Sequence, residues 1–341
     1  MKTGIALATM LVLSCVLAAD QPTPPLKLVA RYPMPASTSG RFDHLSVDFE
    51  GNRLFLAAES MHCVLIADLR TGKSIGQIPG IQIPHAILIR HDLHRIYITD
   101  GGAGTTGGVH VYDGTTLRQL AFIPLKRDTD SIAYDPKTKY LYVVNGGGDA
   151  NESFSMYSVI DTTQDKKLAD IKVDGDTLEA SVVDPDSSRI FVNNPAKNEV
   201  DVINRETRSV ETAWPIRMAT KNVAMALDAA GHRLFVACRS GKIVVLDSQT
   251  GKELQSLDIG MGVDDLIFEP ATRRIYASTG GGTGSTAVYE ELNQDKYKLL
   301  AEVATAPGAK NEVLVPQIDR YFTVVPPREN AGFVYEYQVN E

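Results

Sequence analysis

Seven positions carry much of the polar chemistry in this chain: Asp43, His85, Asp130, Glu179, Asn222 (or its neighbour Val223), Asp264 and Asn311. Each opens an apolar run, and they recur at roughly 40- to 50-residue intervals, the spacing of stacked supersecondary units. His44 and Asp265 stand next to two of them. If the fold gathers the column, carboxylates, an imidazole and amides form one ring. Like charges some 8 Å apart repel by about 2 kcal/mol at an effective dielectric of 20. A bound cation or a cationic ligand would relieve that, and oxygen donors of this kind suit Ca²⁺ or Mg²⁺. Glu179, Asp264 and Asp130 are the expected metal ligands, with His85 or His44 as general base if the site is catalytic. The competing reading is a hydrated polar ring lining a channel.

The elements that must position these residues are strands. A basic or polar residue followed by alternating apolar and β-branched ones occurs seven times: "NRLFLAA", "HRIYITD", "KYLYVVN", "SRIFVNN", "HRLFVAC", "RRIYAST" and "DRYFTVV". Before each copy comes an apolar run closed by turn chemistry such as Asp-Pro or Asp-x-x-Gly. After it come a loop, a third strand ("VLIADLRTGK", "IVVLDSQTGK") and a short fourth strand. Four antiparallel strands per repeat make a propeller blade. The spacing therefore predicts an all-β, seven-bladed propeller over residues 26–341. The seventh copy reaches Glu341 with three strands only. "LKLVARYPMP", Leu26 to Pro35, supplies the fourth and closes the ring, which removes an exposed sheet edge.

The strand signatures, the "VIDxxTGK"-type turns at Asp68–Lys73 and Asp247–Lys252, and the "IPxG"-like fourth strands resemble the YVTN-repeat, YncE-like propellers over about nine-tenths of the chain. The resemblance implies the seven-bladed fold and little about function, because propellers host many activities. Gluconolactonase-like propellers imply a divalent cation held by Glu, Asn and Asp in the channel. Virginiamycin B lyase-type propellers imply a His and a metal there. Quinoprotein- and cytochrome-associated propellers imply an electron-transfer partner.

Met1-Lys2-Thr3 and the apolar "GIALATMLVLSCVLAA" read as a secretory signal over residues 1–19, followed by a proline-rich spacer at 20–25. This makes the chain periplasmic or secreted. Cleavage after Ala18 or Ala19 competes with lipidation at Cys15 of "VLSC". The formal charge of −8 and the lack of a basic run argue against nucleic acid as a partner. Cys63 and Cys238 fall in non-adjacent blades, too far apart to bridge, so two free thiols are expected. No CxxC or CxxCH occurs to bind haem covalently.

Other motifs are weaker. Gly102, Gly104 and Gly107 spell G-x-G-x-x-G, but "VHVYD" follows as a strand where a nucleotide loop needs a helix. "GKSIG" at Gly72–Gly76 matches a nucleophile elbow in letters only. Met61, His62 and Cys63 are soft-metal donors, with His62 best placed to join His44 or His85. Glycine-rich loops in the second, third and sixth blades should crown the face that carries the ring. Trp214 should pack between blades. No compact nucleophile–base–orienter set is visible. The leading reading is thus a monomeric cell-envelope propeller that binds a small molecule or protein through its channel-mouth face. The alternative is a divalent-metal-dependent hydrolase or lyase of lactonase type.

Overall fold

The computed structural model describes residues 23–328 and 331–340. The segment expected to be a secretory signal, with Cys15, and the terminal Glu341 lie outside them. The described residues form seven four-stranded antiparallel sheets in a ring. In each of the first six, the strands run in sequence order from the channel outward. The seventh takes its outer strand from the other end of the chain. Leu26–Pro33 pairs antiparallel with Phe333–Val339, from Leu26 opposite Val339 to Pro33 opposite Phe333. The expected closure is the one observed.

The second strands are almost wholly buried because both faces of each sheet meet a neighbouring sheet. Seven apolar clusters result, one at each blade–blade boundary. This is why these strands read as continuous apolar runs. Leu26 is only 2% exposed, sealed against Tyr276, Val288, Tyr321 and Tyr337 at the sixth boundary. Trp214 lies on Phe191, ring centres 5.3 Å apart. A Cβ on Gly251 of the next blade would sit 2.2 Å from its ring, so glycine is required there. Cys63 and Cys238 are buried free thiols.

Two turn types repeat. Between third and fourth strands, Asp68 Oδ1 accepts bonds from the Thr71 amide and hydroxyl, both at 2.8 Å. Asp113 and Asp247 do the same with Thr116 and Thr250. An Asx turn of this kind is what the "D-x-x-T" spacing encodes. Before the second strand, the leading residue of six of the seven signatures is left-handed: Asn52, His94, Lys139, His232, Arg273 and Asp319, with φ from 52° to 61°. Asn, Asp and His tolerate that region best.

Lys139 is exposed and pays for its left-handed backbone with about 1 kcal/mol or more. Lys139→Gly is expected to raise the melting temperature and Lys139→Val to lower it, by thermal unfolding. Equal effects of the two would show that the turn is not strained.

Candidate functional site

Ring geometry brings the starts of the inner strands together at one end of the channel. There a cavity of about 180 Å³ is lined by Asp43, His44, Glu59, His85, Asp130, Glu179, Asp264 and Lys310, with Arg41, Ser131, Ala180, Val223 and Arg239. Six of the eight expected residues thus face one space. Asn311 is buried beside it, its Nδ2 donating to Asp43 Oδ1 at 3.4 Å and Asp264 Oδ2 at 3.3 Å. Asn222 does not face the cavity. Its amide donates to Asn193 Oδ1 and the Glu199 carbonyl, at 2.8 and 2.9 Å. Val223 faces the channel instead, standing nine residues before its second-strand signature as His85 and Asp264 do before theirs.

Asp43 is the hub. His85 Nδ1 donates to its Oδ2 at 2.6 Å, and His44 Nε2 lies 3.6 Å from its Oδ1. The other nitrogen of His44 contacts Asp265 Oδ1 at 2.8 Å. Asp265 Oδ2 accepts the backbone amide of Glu312 at 2.9 Å, so this bond ties the first, sixth and seventh blades together. Burial opposes charge on His44, but Asp265 and Asp43 outweigh it and hold its pKa well above the imidazole range. Burial likewise opposes charge on His85, and Asp130 and Asp43 lift its pKa to about 10. For Asp43, burial favours the neutral acid. His44, His85 and Lys310 reverse that and hold the carboxyl well below its ordinary range. Both histidines therefore carry protons at neutral pH, and neither is free to act as a general base.

The expected metal ligands are in the cavity but not equivalent. Asp264 is bound by Arg239 Nη2 at 2.5 Å and by Lys310. Asp130 meets Ser131 Oγ at 3.4 Å and lies 3.9 Å from His85 Nδ1. Glu179 lies 3.6 Å from Arg239. Burial, with Asp130 nearby, pushes the Glu179 carboxyl up to about 8. The donor atoms that cluster most closely belong to other groupings. Asp43, Glu59 and His85 bring theirs within 4.8 Å of one another, and so do Asp43, His44 and Asp130.

Sequence reasoning missed Arg239, Lys310, Arg41 and Glu59. Glu59 and Arg239 are the residues just after the second-strand signature in the first and fifth blades. The same position is Gly101, Gly146 and Gly280 in the second, third and sixth blades, and proline in the other two. It is a second column above the first, and its repeat was the available signal. Its glycines have a steric reason. A Cβ on Gly101 would lie 2.9 Å from His85 Nε2, and one on Gly280 3.2 Å from Lys310 Cβ.

The G-x-G-x-x-G loop is a hairpin tip between Arg95–Ala103 and Thr106–Asp113, with no helix after it. A Cβ on Gly102 would fall 1.9 Å from the Thr106 carbonyl, so tight backbone packing explains that glycine. Ser74 of "GKSIG" begins an exposed outer strand. His62 does not join His44 or His85. It is the left-handed residue after a short turn and bonds the Gln82 carbonyl, while Cys63 is buried and Met61 packs on the first-blade core. A larger cleft of about 350 Å³ opens at the opposite end of the first two blades. Its Arg53 and Arg90 are already bound to Asp48 and to Asp92 with Thr162.

Two outcomes test this electrostatic map. Asp264→Asn leaves Arg239 and Lys310 without their shared anion and should lower stability, by less than the roughly 3–5 kcal/mol of a fully buried pair because both cations reach solvent. Glu179→Gln removes a carboxylate that burial disfavours and should be neutral or stabilising. The native state also keeps the His85 proton to about pH 10, whereas an unfolded imidazole loses it near pH 6.5. Between those values the native state binds more protons, so stability falls as pH rises, by at most about 1.4 kcal/mol per unit. His85→Gln should flatten that slope in denaturant titrations. An unchanged slope would mean that His85 is neutral in the folded protein.

No family model matches the chain, and no curated protein matches it. Solved structures do. A chain of "Kuenenia stuttgartiensis Hydrazine Synthase" aligns with a TM-score of 0.71 at 16% identity, over 90% of this chain and 100% of that one. A chain of "Crystal Structure of Mitotic Checkpoint Complex" aligns with a TM-score of 0.73 at 12% identity, over 99% of each. At such identities the likeness establishes the propeller fold and nothing narrower.

Proposed function

We propose that the protein is an exported propeller of the cell envelope that binds a small polar ligand in the channel-mouth cavity. The observation that carries this reading is the state of the cavity's charges. Charged groups of both signs, carboxylates and cations, line one space, and its two histidines are clamped against aspartates. That arrangement holds fixed, preorganised dipoles and hydrogen-bonding groups, which is what selective binding needs. Neither histidine is left as the free base that the lactonase-type reading assigned to it. Export rests on the N-terminal signal pattern. Kinship with YVTN-repeat propellers rests on the strand and turn signatures. A protein partner at the same face is the other form of this reading, and one fold neighbour is a chain from a complex.

The test is a thermal-shift screen of sugars, polyols, hydroxy acids and amino acids, run on the mature protein and on Ala180→Leu, which fills the cavity. A ligand present at 100 times its Kd adds about 2.7 kcal/mol to stability. A shift of several degrees in the parent, absent in the variant, is the expected result. No shift with any class would remove the small-ligand reading.

A second reading has its own observation, the close donor sets around Asp43. Two carboxylates with an imidazole suit a transition metal better than the Ca²⁺ or Mg²⁺ suggested by the sequence. Under that reading EDTA lowers the melting temperature, a divalent cation restores it, and Asp43→Ala abolishes the response. Melting indifferent to both treatments would dismiss it.

A further inference from the structure

The charges of the cavity are unevenly matched around the ring. On one side, Asp264 is bound by Arg239 at 2.5 Å and by Lys310. Those two cations keep donors in reserve. A guanidinium has five and an ammonium three, and one from each is spent on Asp264. They are also the more open groups, with side chains 40% and 34% exposed against 9% for Asp264. On the third and fourth blades, Asp130 and Glu179 are held more loosely. Asp130 has Ser131 Oγ at 3.4 Å and His85 Nδ1 at 3.9 Å, and Glu179 sits 3.6 Å from Arg239. The cavity thus has an under-satisfied acidic wall on one side and cations with spare donors on the other.

We propose that the cavity binds a small zwitterion of the α-amino acid type, its ammonium against Asp130 and Glu179 and its carboxylate against Arg239 and Lys310. This rests on the binding reading above and names its ligand class. Size points the same way. At about 180 Å³ the space is below the roughly 300–1,000 Å³ of pockets for drug-sized ligands. Charge does too. A simple cation would leave the spare donors of Arg239 and Lys310 unanswered, and a simple anion would add no donor to the loosely held Asp130 and Glu179. Buried charge without a partner is costly, and a zwitterion answers both sides at once. Binding also has a proton signature. Burial and Asp130 keep Glu179 protonated near neutral pH, and an ammonium beside it favours the ionised form. Binding should release a proton.

The experiment uses the full mature protein. The twenty standard amino acids are ranked by thermal shift. The best one is then titrated calorimetrically beside its amide, which lacks the carboxylate, and its deaminated acid, which lacks the ammonium. The amino acid should bind, and each analogue should bind at least ten-fold more weakly. Heats in two buffers of different ionisation enthalpy should report proton release at pH 7, lost in Glu179→Gln. Asp130→Asn and Arg239→Gln should each weaken binding ten-fold or more. The analogue comparison needs no variant to fold. An amide or deaminated acid that binds as tightly as the amino acid overturns the proposal. A sugar or polyol that binds when no amino acid does overturns it too, and leaves the binding reading intact. Failure of every polar solute overturns both.

Discussion

Everything in this molecule depends on sheets that bury both faces. A four-stranded sheet with two apolar faces cannot end at water on either side, so each blade needs a neighbour on each side. Only a closed ring gives all seven blades that. The contact that completes it is Leu26–Pro33 on Phe333–Val339, which joins the two ends of the chain. Without that pairing the last sheet would keep an open edge. Leu26 would also lose its cover from Tyr276 and Tyr321. Closure thus serves the apolar core first.

The site is a by-product of closure. When seven sheets close, seven inner strands begin around one axis, and whatever residues stand there become neighbours across hundreds of positions of sequence. Asn311 touches Asp43 in this way. Crowding so many ionisable groups into about 180 Å³ imposes a second constraint, because the charges must be reconciled locally or leave. The chain reconciles most of them from within. Asp264 holds two cations, Asp43 is bonded by one histidine and approached by the other, and Arg41 covers Glu59 at 2.8 Å.

The fold was legible because its causes are periodic and local. The alternating second strand, the Asp-x-x-Thr turn and the left-handed residue before the strand each recur within a few residues. Reading one copy therefore instructs the reading of the next. The site was legible only where it shared that period. Asp43, His85, Asp130, Glu179 and Asp264 stand at one offset in their blades, and the structure gathers them. In the fifth blade that offset falls on Val223, which lines the cavity, while Asn222 stands one residue earlier and turns into the sheet boundary. One residue along a strand is enough to reverse a side chain. Arg239 and Glu59 were hidden for another reason. Their column is mostly glycine and proline, so its two charged members look like loop residues until the ring sets them over the cavity.

Those hidden residues change the chemistry inferred from the visible ones. A ring of bare carboxylates is a demand for a cation, and the repulsion of about 2 kcal/mol per pair makes that demand strong. Once Arg239, Lys310 and two imidazolium rings are added, most of the demand is met by the protein, and it is met most loosely at Asp130 and Glu179. The same groups that quench repulsion also consume basicity, since a histidine held between aspartates keeps its proton. Self-neutralisation and base catalysis therefore compete for the same residues. In this cavity the geometry of His44, bonded toward Asp265 on one side and facing Asp43 on the other, sides with neutralisation. A cavity built that way has spent the basicity of its histidines and kept its fixed charges.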